Sequence, residues 1–122
     1  MKIIIETIPH DEQRYDTVGD YFIVPNGDIH VLVSGTLSWQ YSALVALHEL
    51  VELLLCKDKG ITNEAIDEFD LNWKPHSRYT EPGNDPKAPY HIQHKFATRI
   101  EKLMAKALSV DWKLYNAFID QM

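Results

Sequence analysis

The chain predicts an α+β fold: N-terminal antiparallel strands with a β-hairpin, followed by a buried long helix and two to three further helices. Three observations carry this expectation. Tyr21-Phe-Ile-Val and Ile29-His-Val-Leu-Val are β-rich runs flanking Pro25-Asn-Gly-Asp28, and Asn-Gly readily supplies positive φ in a tight hairpin turn. Ala43 to Cys56 contains no Gly or Pro, is rich in Leu and Ala, and exceeds strand length, so it reads as a helix. Beyond residue 60 the chain turns to capped segments at helical spacing. At 122 residues, with no internal repeat, low-complexity segment or boundary, residues 1–122 form a single domain.

The elements follow in order. Lys2 to Ile8 is β-branched and ends at Pro9, which predicts a short first strand. His10 to Asp20 is polar and irregular and reads as a loop, with His10 an exposed loop histidine. Tyr21 to Val24 then pairs antiparallel with Ile29 to Val33, and alternation turns His30 away from the face of Ile29 and Val31. Gly35 ends the sheet, and Thr36 or Ser38 caps the long helix. That helix stops in Lys57-Asp-Lys-Gly60, with basic side chains in its last turn and glycine at its exit. Thr62 caps a short helix from Asn63 to Phe69. Asn72 to Pro89 holds four of the six prolines and is a long loop, a feature that usually serves function in a compact domain. Asp85-Pro86 offers a cap and a first-turn proline for the next helix, though Pro89 can delay its start to Tyr90. Ile92, Phe96, Ile100, Leu103 and Leu108 form its expected core stripe. Ser109 to Ile119 closes the chain as a last helix.

Composition narrows the function classes. A net charge of −6 without any basic block disfavours nucleic acid as a partner. The single cysteine, Cys56, forms no internal disulfide and reads as a small core residue. The apolar start Met1-Lys-Ile-Ile-Ile is too short for a signal peptide, and no stretch approaches a membrane span. The default location is the cytoplasm, or the host's cytoplasm if the gene is viral.

Within the long helix only His48, Glu49 and Glu52 interrupt the apolar run. At about 100° per residue, His48 and Glu52 lie one turn apart on one side. Burying a lone carboxylate costs several kcal/mol, and a divalent cation held by His48 and Glu52 would compensate it. The plainer alternative is a narrow solvated stripe. The helix from Tyr90 carries His91 and His94 on one side, with Glu101 two turns beyond His94. If the two helices pack together, His48, Glu52 and one or both histidines close a site, His94 being the deeper candidate. Mixed imidazole and carboxylate ligands suit zinc, manganese or iron better than calcium. Three ligands leave a position for water, and Glu49 stands beside the first of them as a candidate general base. Tyr79, Glu81, Asp85 and Tyr90 could shape the mouth.

His48-Glu-Leu-Val-Glu52 resembles the His-Glu-x-x-His helix of zincin metallopeptidases, with Glu in place of the second His. That resemblance implies a zinc-type metal-dependent hydrolase, with His48 and Glu52 as ligands, Glu49 as base and His94 or His91 as third ligand. The stretches Leu47-His-Glu-Leu-Val-Glu52 and Glu81-Pro-Gly-Asn-Asp-Pro-Lys-Ala-Pro-Tyr-His91 are also similar to small phage and bacterial proteins of uncharacterised activity. A zincin-like hydrolase would take a peptide or small amide, with Ile29 to Val33 as a candidate edge strand for extended substrate. Two other classes remain open at this point. One is a small binding or assembly protein with a structural metal or none, closed by His48, Glu52, His91 and His94. The other is a magnesium-dependent nucleotide pyrophosphohydrolase using Glu49, Glu52 and Glu101.

Overall fold

The computed structural model describes residues 1–35, 38–74 and 79–122. Thr36, one of the two expected caps, lies outside them. Strand β1 spans Ile3–Ile8, β2 Gly19–Ile23 and β3 Ile29–Ser34. Four helices follow: α1 Trp39–Lys59, α2 Asn63–Asn72, α3 His91–Ala107 and α4 Trp112–Asp120. The architecture is α+β, with three helices after the long one.

The hairpin forms where the Asn-Gly signal placed it. Gly27 sits at φ 92°, a left-handed conformation that disfavours side chains, and Asn26 Oδ1 accepts the Asp28 amide at 2.9 Å. β2 begins two residues earlier than expected and pairs antiparallel with β3. β1 departs from the all-antiparallel expectation by joining β3 in parallel, which gives a mixed sheet in the order β1-β3-β2. This order corrects a second expectation: Ile29 to Val33 is central, and β1 and β2 are the edges. Its composition fits that place, since Ile29, Val31 and Val33 are fully buried. His30 turns the other way and stacks on Phe22. His10 is not the exposed loop residue expected, because its Nδ1 lies 2.8 Å from the buried Ser34 Oγ.

Helix α1 is capped by Ser38, whose hydroxyl accepts the Tyr41 amide, and ends at Gly60 with φ 71°. Thr62 caps α2 in the same manner through the Ala65 amide, and Asp111 caps α4 through Leu114. Pro89 does delay α3, which begins at His91. One side of α1 packs on β2 and β3, and another on α3. Cys56 is buried there, as a small core residue should be.

The orientation of α3 overturns the expected core stripe. Ile92 is 76 % exposed, Leu103 65 % and Phe96 44 %, whereas the buried positions are Gln93, His94, Ala97, Glu101 and Ala105. Leu108 alone packs against the core, partly buried, and Ile100 is half-buried. Two features favour this rotation. Ala97 and Ala105 let the helix backbones approach closely, and His94 and Glu101 find polar partners on α1 that solvent-facing positions would deny them.

Candidate metal centre

The two helices run antiparallel, so that His48 meets Glu101 and Glu52, one turn on, meets His94. Three donor atoms converge. His48 Nε2 lies 3.0 Å from Glu52 Oε2 and 3.1 Å from His94 Nδ1, and His94 Nδ1 lies 2.8 Å from the same carboxylate oxygen. All three residues are buried. A tetrahedral ion with bonds of about 2.0–2.1 Å sets neighbouring donors about 3.3 Å apart, so each side of this triangle is within about half an ångström of a ligand face. The His48, Glu52 and His94 group could hold a metal ion.

His48 and Glu52 are each oriented by a partner behind them. His48 Nδ1 donates to Glu101 Oε1 at 2.7 Å, and Glu101 in turn accepts a short hydrogen bond from Tyr115 Oη. Tyr21 Oη donates to Glu52 Oε1 at 2.7 Å, leaving Oε2 to face the imidazoles. His94 Nε2 lies 3.3 Å from Glu81 Oε2 but off the line of a hydrogen bond. Such outer partners set the ring orientation and the basicity of ligating histidines.

The charges in this cluster are strongly coupled. Burial opposes a protonated His48, yet the hydrogen bonds to Glu101 and Glu52 outweigh it and hold the imidazole well above its ordinary range. His94 is likewise penalised by burial but raised to about 9 by Glu52 and Glu81. Burial would raise Glu52, but the two imidazoles bring it down to about 2. If both imidazoles carry two protons, their Nε2–H and Nδ1–H groups face each other across 3.1 Å. A single divalent ion held by His48, Glu52 and His94 would remove that conflict, because neither facing nitrogen would then need a proton.

Glu49 occupies a different environment. It is half-buried, lines the same cavity of about 740 Å³, and has no hydrogen-bond partner among the described residues. Burial, reinforced by repulsion from Glu52, pushes its carboxyl well above the ordinary carboxylate range. Gly19 makes room for it, since a Cβ there would come within 2.6 Å of Glu49 Cγ. Gly83 does the same for His94, where a Cβ would come within 2.4 Å of the ring.

Of the residues singled out in the sequence, the fold brings His48, Glu52, His94, Glu49 and Glu101 together. It leaves His91 outside the triangle, with Nδ1 donating to the Gly83 carbonyl at 2.9 Å. Around the mouth, Glu81 and Tyr90 line the cavity, whereas Asp85 accepts from Trp73 Nε1. Tyr21, Tyr115 and the two glycines carried no local signal of a site. Asp70 carries no such signal either: on the cavity wall it accepts hydrogen bonds from Tyr90 Oη and, at 3.3 Å, Tyr15 Oη.

No family model, curated protein or solved structure matches the chain. The fold and the site therefore define it by themselves, as an α+β protein with a buried His-Glu-His group that could hold a metal ion. Among the described residues, no helix is long and apolar enough to cross a membrane.

Two predictions follow from the packing. Gly83→Ala must displace the His94 ring and should lower stability by about 1–3 kcal/mol. In a double-mutant cycle with His94→Ala, the combined loss in chemical denaturation should fall clearly short of the sum, and strict additivity would contradict the contact. Burial pushes Asp70 from 3.8 up to about 6. Its folded pKa exceeds its unfolded one, so its contribution is present below about pH 4 and lost as pH rises through about 6. The stability of Asp70→Asn relative to wild type should thus improve by on the order of 1–2 kcal/mol between about pH 4 and 7, and a constant offset would refute this.

Proposed function

We propose that the protein is a metal-dependent hydrolase, with zinc or another divalent transition ion held by His48, Glu52 and His94 and with Glu49 as general base. One observation carries this reading. Three donors converge on one point of a cavity whose wall also holds a carboxyl group without a hydrogen-bond partner among the described residues. Two of the three donors are imidazole nitrogens, which suit zinc, manganese or iron better than magnesium. A divalent ion there would supply Lewis acidity and bring the pKa of a water in its open position towards neutrality.

The remaining roles belong to the chain's own side chains. Glu49, which lines the same cavity as the three donors and neighbours His48 in the chain, is placed to accept a proton and return it to a leaving group. Glu101 and Tyr115 fix the His48 ring, and Tyr21 fixes Glu52, so the donors need little reorganisation during turnover. A fourth protein ligand would favour a closed structural site, but His91 is engaged by Gly83.

The substrate class is a peptide or other small amide. Asp16, Asp20, Glu49, Asp70, Glu81 and Asp120 are among the carboxylates on the cavity wall, while Lys102 is its only Lys or Arg among the described residues. That balance disfavours phosphate esters and nucleotides. The edge strand β2 runs past Glu49, with Gly19 to Tyr21 on the cavity wall, and an edge strand is a natural rail for an extended segment.

The test is purification without added metal, elemental analysis, and turnover of a panel of fluorogenic peptides. Zinc or another transition ion should co-purify at about one per chain, and magnesium should not. Glu49→Gln should keep that ion and lower kcat by at least about a hundredfold. If Glu49→Gln loses the metal, or turns over as wild type does, the assignment of the base is wrong.

A further inference from the structure

The other side of α1 and α3, away from the cavity, raises a question that the metal centre does not answer. From Trp39 to Cys56 the charged residues of α1 are Glu49 and Glu52, and both line the cavity. At about 100° per residue, Ala43, Leu47, Leu50, Val51 and Leu54 fall on the opposite arc. That arc therefore runs for about three turns without a charge. A helix apolar around its whole circumference is normally buried on all sides. Here Ala43 and Leu54 are exposed, and Leu47, Leu50 and Val51 are only half-buried.

Helix α3 continues the face. Because His94, Thr98 and Glu101 line the cavity, helical geometry carries Ile92, Phe96, Ile100, Leu103 and Met104 round to the side away from it. Leu54, Ile92, Phe96, Leu103 and Met104 are 42–76 % exposed. The exposed Lys95, Arg99, Lys102 and Lys106 line one flank of this stripe, and no acidic side chain of α3 joins them, since Glu101 is buried.

We infer that this face is the interface of a homodimer. Phe has about 150–250 Å² to bury, and the aliphatic side chains of the face have on the order of 200 Å² or less. At the observed exposures the face offers on the order of 500 Å² per copy, or about 1,000 Å² for two, which is the lower size of a specific interface. A second copy is the occupant that fits. Its own uncharged arc leaves no buried charge to be matched, as the apolar centres of homodimer interfaces require, while the cation row stays solvated at the rim. A net charge of −6 weighs against an anionic membrane surface as the occupant. The inference is independent of whether the cavity holds a metal.

Sedimentation equilibrium from about 1 to 100 µM tests it, with Leu103→Glu and Leu54→Glu as variants on the two helices. Both side chains are exposed, so circular dichroism should show each variant folded. The wild-type chain should approach twice 14.1 kDa. Each variant should raise the dimer dissociation constant at least about thirtyfold. A wild-type monomer throughout the range overturns the inference, as does a dimer that both variants leave intact. Binding of a monomeric wild type to phosphatidylserine vesicles, lost in Leu103→Glu, would assign the face to membranes instead.

Discussion

A helix that carries an imidazole and a carboxylate into a protein's interior must find counter-charges for them, and the packing of α1 against α3 is organised around that need. His48 and Glu52 cannot face the apolar sheet without a penalty of several kcal/mol. They face α3, which supplies His94 and Glu101 at matching heights because the helices run antiparallel. Ala97 and Ala105 on α3 let the two backbones come close enough for those side chains to meet. The sheet contributes from the other side: Tyr21 reaches Glu52 from β2, and Gly19 leaves room for Glu49.

The same need explains why α3 exposes its apolar stripe. Ile92, Phe96 and Leu103 would bury favourably as a set, at roughly 1.5–3 kcal/mol for each fully buried side chain. Turning them inwards would move His94 and Glu101 into solvent and take from Glu52 and His48 their partners on α3. The polar cluster wins, and the cost appears as an apolar outer face. A site and an interaction surface are thus two consequences of one rotation of one helix.

Much of this was readable from the chain because it is locally encoded. The Asn26-Gly27 turn, the Ser38 and Thr62 caps, the Gly60 exit and the proline-delayed start at His91 each depend on a few neighbouring residues. His48, Glu52 and His94 stood out because polar groups on apolar or amphipathic helices need a reason. What failed was non-local. The parallel docking of β1 on β3 depends on strand order, which no local pattern states, although the near-continuous apolar run of Ile29 to Val33 is the mark of a central strand. The inward face of α3 escapes hydrophobic spacing because it is marked by two small residues, Ala97 and Ala105, flanking Glu101. Tyr21 and Tyr115 were invisible, since a tyrosine that orients a carboxylate looks like any core aromatic until the tertiary contact is known.

The central claim is that His48 Nε2, Glu52 Oε2 and His94 Nδ1 form the face of a metal site, while His91, three residues earlier on the same helix, belongs to the loop. Cobalt(II) titration followed by visible absorption measures this most directly, because the ion reports its own coordination. Wild type and His91→Ala should each bind one equivalent per chain with the intense bands of a low-coordinate nitrogen and oxygen site, and His94→Ala should lose them. Equal binding by His94→Ala, or loss of the bands in His91→Ala alone, would contradict the account.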